Sequence, residues 1–175
     1  AVSMPNSDKT IGSVNFTVAE YRKPEFQVRV TAGEENVLSG QSVTFQIQAD
    51  YYSGGAVSNA RVSWTLTSDR FSFTPPDEYS GYSFSDYEED VYTAEEFSEE
   101  GSEVIAEGEG QTDSQGRLSV TLPIDLSKYK NSRQLTFEAT VTDIAQNAVS
   151  GRAVVVAHRS AVYPGIRPRS YVGKA

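Results

Sequence analysis

The groups that could do chemistry in this 175-residue chain are one His, one Trp, 24 Asp plus Glu and 15 Lys plus Arg, with no Cys. Without Cys, thiol catalysis, thiolate zinc sites, disulfides and thioester formation are excluded from this segment. A Ser, His and Asp triad would have to use His158, which closes an apolar run before a Pro-rich stretch; a surface or capping role is expected there. The nucleophile elbow fails in GYSFS from Gly81, because Ser85 stands where the second Gly belongs. A phosphate loop fails too, since the pair Gly173 and Lys174 is followed by Ala175. No residue set supports catalysis, and no cofactor is called for.

The carboxylates are concentrated. Residues 77 to 109 hold 13 of the acids, and no Lys or Arg occurs between Arg70 and Arg117. Taking 13 from 24 leaves 11 acids against 15 bases elsewhere, so the formal net charge of −9 belongs to one segment. Within it Asp86, Glu88 and Asp90 fall on positions 1, 3 and 5 of a calcium-loop count. Val91 takes the place of the required Gly and Phe97 that of the bidentate Glu, which rejects an EF-hand. Those three acids stay as candidate Ca²⁺ ligands of a looser oxygen-rich loop. The same segment carries Phe71, Phe73, Tyr79, Tyr82, Phe84, Tyr87, Tyr92 and Phe97, and large rings supply the burial that orders a chain. A long solvated insertion whose rings pin it to the domain body is the expected form. A general nucleic-acid binder is excluded, because neutralising phosphates needs a basic face. No apolar run of about 18 residues is present, so no membrane span is expected.

The elements that must position these groups are strands. Outside the insertion the apolar residues have period two: Val14 to Val18, Phe26 to Val30, Val43 to Tyr51, Val62 to Leu66, Val104 and Ala106, Leu118 to Leu122, Leu135 to Val141, and Ala153 to His158. Trp64 lies on the apolar phase of its run, which predicts a core ring. Thr112 to Gly116 reads as a hairpin turn, opened by Asp113 and closed by a Gly free to take positive φ. A short helical turn is expected over Ile124 to Tyr129, and no longer helix. Pro24 removes a ladder donor between the first two runs, and Pro164, Gly165 and Pro168 mark a linker. The class is all-β: a seven-stranded antiparallel immunoglobulin- or fibronectin-like sandwich over residues 23–160, with an acidic insertion over about 71–109. Residues 1–22 are expected to be a preceding domain's end or an edge strand, and 161–175 a linker into the next domain.

Four ordered segments carry a family resemblance: EYRKPEFQVRV at 20–30, ADYYSGGAVSNARVSWTL at 49–66, GQTDSQGRLSVTLPIDLSKY at 110–129 and LTFEATVTDIAQNAVSGRAVVVAH at 135–158. Together they resemble the third macroglobulin-type domain of the alpha-2-macroglobulin family, and the acidic, aromatic insertion looks like that of the bacterial members. The resemblance implies a non-catalytic domain of a longer secreted, periplasmic or cell-surface protein that traps proteases. Its partners would be neighbouring macroglobulin domains and, through the whole protein, target proteases. Pro24, Pro164 and Pro168 would then be hinges. An immunoglobulin-like module of a bacterial surface adhesin or carbohydrate-binding protein shares the fold and is the alternative.

Overall fold

A computed structural model describes residues 2–3, 10–12, 24–84 and 102–168 of the chain. The run Val14 to Val18 lies outside the described residues, as do Asp86, Glu88, Asp90, Tyr87, Tyr92 and Phe97. Two short strands, β1 (Val2–Ser3) and β2 (Thr10–Gly12), pair with each other in an antiparallel two-stranded sheet. The remaining strands are β3 (Phe26–Ala32), β4 (Asn36–Leu38), β5 (Ser42–Tyr51), β6 (Arg61–Arg70), β7 (Glu103–Gln111), β8 (Arg117–Pro123), β9 (Arg133–Thr142) and β10 (Ala148–His158). They form a sandwich of a five-stranded sheet, β4-β10-β9-β6-β7, and a three-stranded sheet, β3-β5-β8.

The period-two runs become these strands because each buries alternate residues. On β5, Val43, Phe45, Ile47 and Ala49 point inward; on β9, Leu135, Phe137, Ala139 and Val141 do. Phe45 and Phe137 stack across the two sheets at 4.2 Å between ring centres, and Trp64, expected as a core ring, is half-buried and stacks on Phe137 at 5.5 Å from the border of the core. The sandwich has eight strands rather than seven. The extra one, β4, pairs in parallel with β10 and is three residues long, too short for a period to register. Compared with the immunoglobulin arrangement, β7 pairs with β6 rather than with β8, so the smaller sheet has three strands. Three of the clustered acids, Glu103, Glu107 and Glu109, stand on β7, where charge on an open edge opposes pairing with another chain.

At Ile124 to Tyr129 a single hydrogen-bonded turn forms, from Tyr129 N–H to the Leu126 carbonyl, and no helix. Asp125 accepts from the Ser127 N–H there, which holds its carboxyl below the usual range, with the Ser127 hydroxyl adding to the effect. Among the described residues no helix is long and apolar enough to cross a membrane. Phe26 pairs with Tyr51 in one sheet, Arg61, Thr142 and Ala148 pair in the other, and Gly151 of β10 faces Val28 of β3 across the sheets, so these residues share one end while His158 ends β10 at the other. The chain therefore enters at one end and leaves at the opposite one, roughly 33 Å away for strands of this length.

Candidate functional site

The described chemistry gathers where the chain leaves the sandwich. Beyond Arg70 the sequence Thr74-Pro75-Pro76 cannot continue β6, since two successive residues lack the ladder donor. A single 3₁₀ turn over Asp77–Tyr79 follows and reverses the chain, so that Tyr82 to Phe84 runs back beside the segment 163–168. Ser83 and Ile166 exchange two backbone hydrogen bonds, 2.8 Å from the Ser83 N–H and 2.9 Å from the Ile166 N–H.

Rings reinforce that bridge. Phe73 lies flat on Tyr163, with centres 4.2 Å apart and planes 6° from parallel, and meets Phe84 edge-on at 5.3 Å. Tyr82 continues the row toward Tyr79, and the Arg167 guanidinium sits over the Tyr82 ring at 5.1 Å. Each such pair contributes about 0.5–1.5 kcal/mol beyond area burial. Gly165 faces Phe84 so closely that a Cβ would stand 2.7 Å from two ring carbons. The rings were expected to pin the insertion to the domain body; of those described, Phe71 meets His158 of β10, while Phe73, Tyr82 and Phe84 pack with the linker instead.

His158 extends the cluster into the sandwich. It is half-buried, between the edges of Phe71 and Tyr163. Its Nε2 lies 2.8 Å from Asn36 Oδ1 and its Nδ1 2.6 Å from Tyr163 Oη, which is 2.8 Å from Ser132 Oγ. One proton arrangement satisfies all of them. With Asn36 Oδ1 accepting, the His158 proton sits on Nε2; Nδ1 then accepts from Tyr163, Tyr163 accepts from Ser132, and Ser132 accepts from the Arg159 N–H at 3.1 Å. Tyr163 stands between Ser132 and the imidazole, and Asn36 occupies the place a triad gives to a carboxylate. The arrangement orients side chains rather than activating a nucleophile. The surface or capping role expected of His158 is in this form a brace between β4, β10 and the linker.

Beside it Glu103 accepts from Lys128 at 2.6 Å and from the Tyr129 hydroxyl at 2.7 Å. The Lys128 hydrogen bond, then that of Tyr129, holds the Glu103 carboxyl below the usual carboxylate range, and Lys128 is raised in return. Arg133, nearly buried, donates to the Ser68 hydroxyl and carbonyl and covers the Tyr129 ring at 4.6 Å. A depressed acid lends stability above its unfolded-state pKa and loses it as pH falls through the folded-state value. Glu103→Gln should therefore melt below wild type at neutral pH, with the gap closing on acidification. A gap constant from neutral to strongly acid pH, read as Tm against pH, would sink this.

Pro24 and Pro168 are exposed at the two ends of the described body, and Pro164 lies exposed beside the docked Tyr163. No group of three metal-ligating side chains occurs among the described residues, and Asp86, Glu88 and Asp90 fall outside them. Tyr163 falls inside the linker that the sequence predicts over 161–175, and nothing in its spacing from His158 announced the brace.

No family model matches the chain. An alpha-2-macroglobulin of Thermotoga maritima is 30% identical over 158 residues, covering 78% of this chain and 10% of that protein. The circularly permutated Ras protein 2 of Dictyostelium discoideum is 26% identical over 160 residues, covering 88% of this chain and 4% of that protein. Among solved structures, the native conformation of Escherichia coli alpha-2-macroglobulin matches with a TM-score of 0.62 and 19% identity, covering 86% of this chain and 9% of that one. A Salmonella alpha-2-macroglobulin mutant matches with a TM-score of 0.64 and 16% identity, covering 87% and 9%. These two likenesses establish the shared fold. With sequence likeness over most of its length and the fold in agreement, the chain belongs with the bacterial alpha-2-macroglobulin family, of which it spans about a tenth of a member's length.

Proposed function

We propose that the chain is a non-catalytic structural domain, the third macroglobulin-type sandwich, of an extracytoplasmic protein that traps proteases after they cleave a bait. The likeness to the Thermotoga maritima protein carries this reading. Chain entrance and exit at opposite ends support it, since such a body can be threaded into a row of domains and pass a rotation from one neighbour to the next. Its partners in this reading are the flanking domains of the same polypeptide and, through the whole protein, the attacking protease. Residues 1–22 close the preceding domain, 23–160 are the sandwich with its insertion, and 161–175 lead to the next. Pro24 is the pivot on the entering side. The docking of Tyr163 to Arg167 favours a pivot at Pro168 over one at Pro164.

The test is on the full-length protein. Incubated with trypsin, it should be cut in a bait segment and become more compact, while the bound trypsin still cleaves a small peptide substrate but not a large protein. Equal loss of both activities, or no loss of either, rejects the trap. A reading frame holding only tandem sandwiches would instead favour the adhesin-type module.

A further inference from the structure

We infer that residues 71–84 are a strap that locks the direction in which the chain leaves the sandwich. The exit segment contains Pro164, Gly165 and Pro168, a composition that by itself gives a flexible connection. Three kinds of contact instead hold it: the two-bond bridge between Ser83 and Ile166, the Phe73–Tyr163 stack with Arg167 over Tyr82, and the Ser132–Tyr163–His158 hydrogen bonds. The first two come from the strap alone. Gly165 completes the fit, because any side chain there would displace Phe84.

Strap and exit segment are separated by some eighty residues, so neither can order the other by local propensity. They hold each other through contacts that a shift of either one breaks together. That makes the pair a two-position element: docked, with the exit fixed, or released, with the exit free to turn about Pro164 and Gly165. The insertion in this view sets where the following chain points, independently of what the whole protein traps.

Amide hydrogen exchange on the 175-residue chain tests this. The Ser83 and Ile166 amides should be protected on the order of a hundredfold relative to unbonded loop amides, and by equal factors, as members of one opening unit. Phe73→Ala combined with Tyr163→Ala should lower both protections by at least about tenfold while the β9 amides keep theirs. Should that variant loosen β9 as well, Ser83→Pro replaces it: confined to an exposed site, it removes one bridge donor, and Ile166 must then lose its protection. The strap is overturned if the two wild-type amides exchange like unbonded ones, if their protections differ widely, or if either variant leaves Ile166 protected. The trypsin experiment on the whole protein is unaffected by any of these outcomes.

Discussion

Phe137→Ala should destabilise the domain by about 3–5 kcal/mol, a large share of the roughly 5–15 kcal/mol that holds a domain folded. Phe137 is fully buried on β9, the central strand of the five-stranded sheet. It touches both halves of the core: Phe45 of the opposite sheet stacks on it at 4.2 Å and Trp64 of β6 at 5.5 Å. Truncation removes the ring's burial and leaves a cavity that neither neighbour can fill, since each is held on its own strand. Urea unfolding should show a lower midpoint with an unchanged slope, because the surface exposed on unfolding is almost the same. The lone Trp gives a second readout, as its emission depends on the ring that is lost. Phe137→Leu, closer in volume, should cost about half as much. Val154→Ala, on the outer face of β10 and 47% exposed, should stay within about 0.5 kcal/mol. A loss under about 1 kcal/mol for Phe137→Ala would mean that the ring is not the pivot of the core.

What made the core legible is that burial leaves a period. Val43, Phe45, Ile47 and Ala49 could be read as one face of a strand because each lies two residues from the next. β4 left no such trace in three residues, and its parallel pairing to β10 depends on the path of the chain rather than on its own composition. The first half of β10 was missed for a related reason. Ser150, Gly151 and Arg152 interrupt the apolar pattern, yet Gly151 is needed there because the Val28 carbonyl of β3 passes where a Cβ would be. At the exit, ring content announced that the insertion docks, but nothing in the spacing of Phe73 said that Tyr163 would be its partner. Pro164 and Pro168 suggest freedom to a local reading, because local rules do not see a stack contributed from ninety residues upstream. Function was legible only through family likeness, since a brace of His, Tyr, Ser and Asn has no signature spacing.

Gly116→Ala should cost about 2–4 kcal/mol, from the left-handed backbone and from steric overlap together, and a second turn in the same molecule separates the two causes. Asp113 and Asp143 organise turns of the same design. Each carboxylate accepts from the N–H groups two and four residues on, and the residue three on has positive φ: Gly116 at 72° and Gln146 at 65°. The surroundings differ. The β9–β10 turn stays within one sheet, and the Gln146 side chain is exposed, so only the backbone term applies. The β7–β8 turn crosses from one sheet to the other and lies against β5, where Gly116 accepts from the Ala49 N–H at 2.9 Å. A Cβ at 116 would overlap the Ala49 carbonyl oxygen, fixed on β5, and stand 3.2 Å from Ala56 Cβ, which is held by its bridge to Asp50. Gln146→Gly should thus change stability by less than about 1 kcal/mol, in the stabilising direction, since relief of the left-handed strain is partly offset by the freer unfolded chain. Gly116→Ala should lower the urea midpoint clearly. If the two substitutions shift it by similar amounts, the wall formed by β5 contributes nothing, and backbone preference alone explains the glycine. A much larger loss at 116 assigns that glycine to the crossing between the sheets.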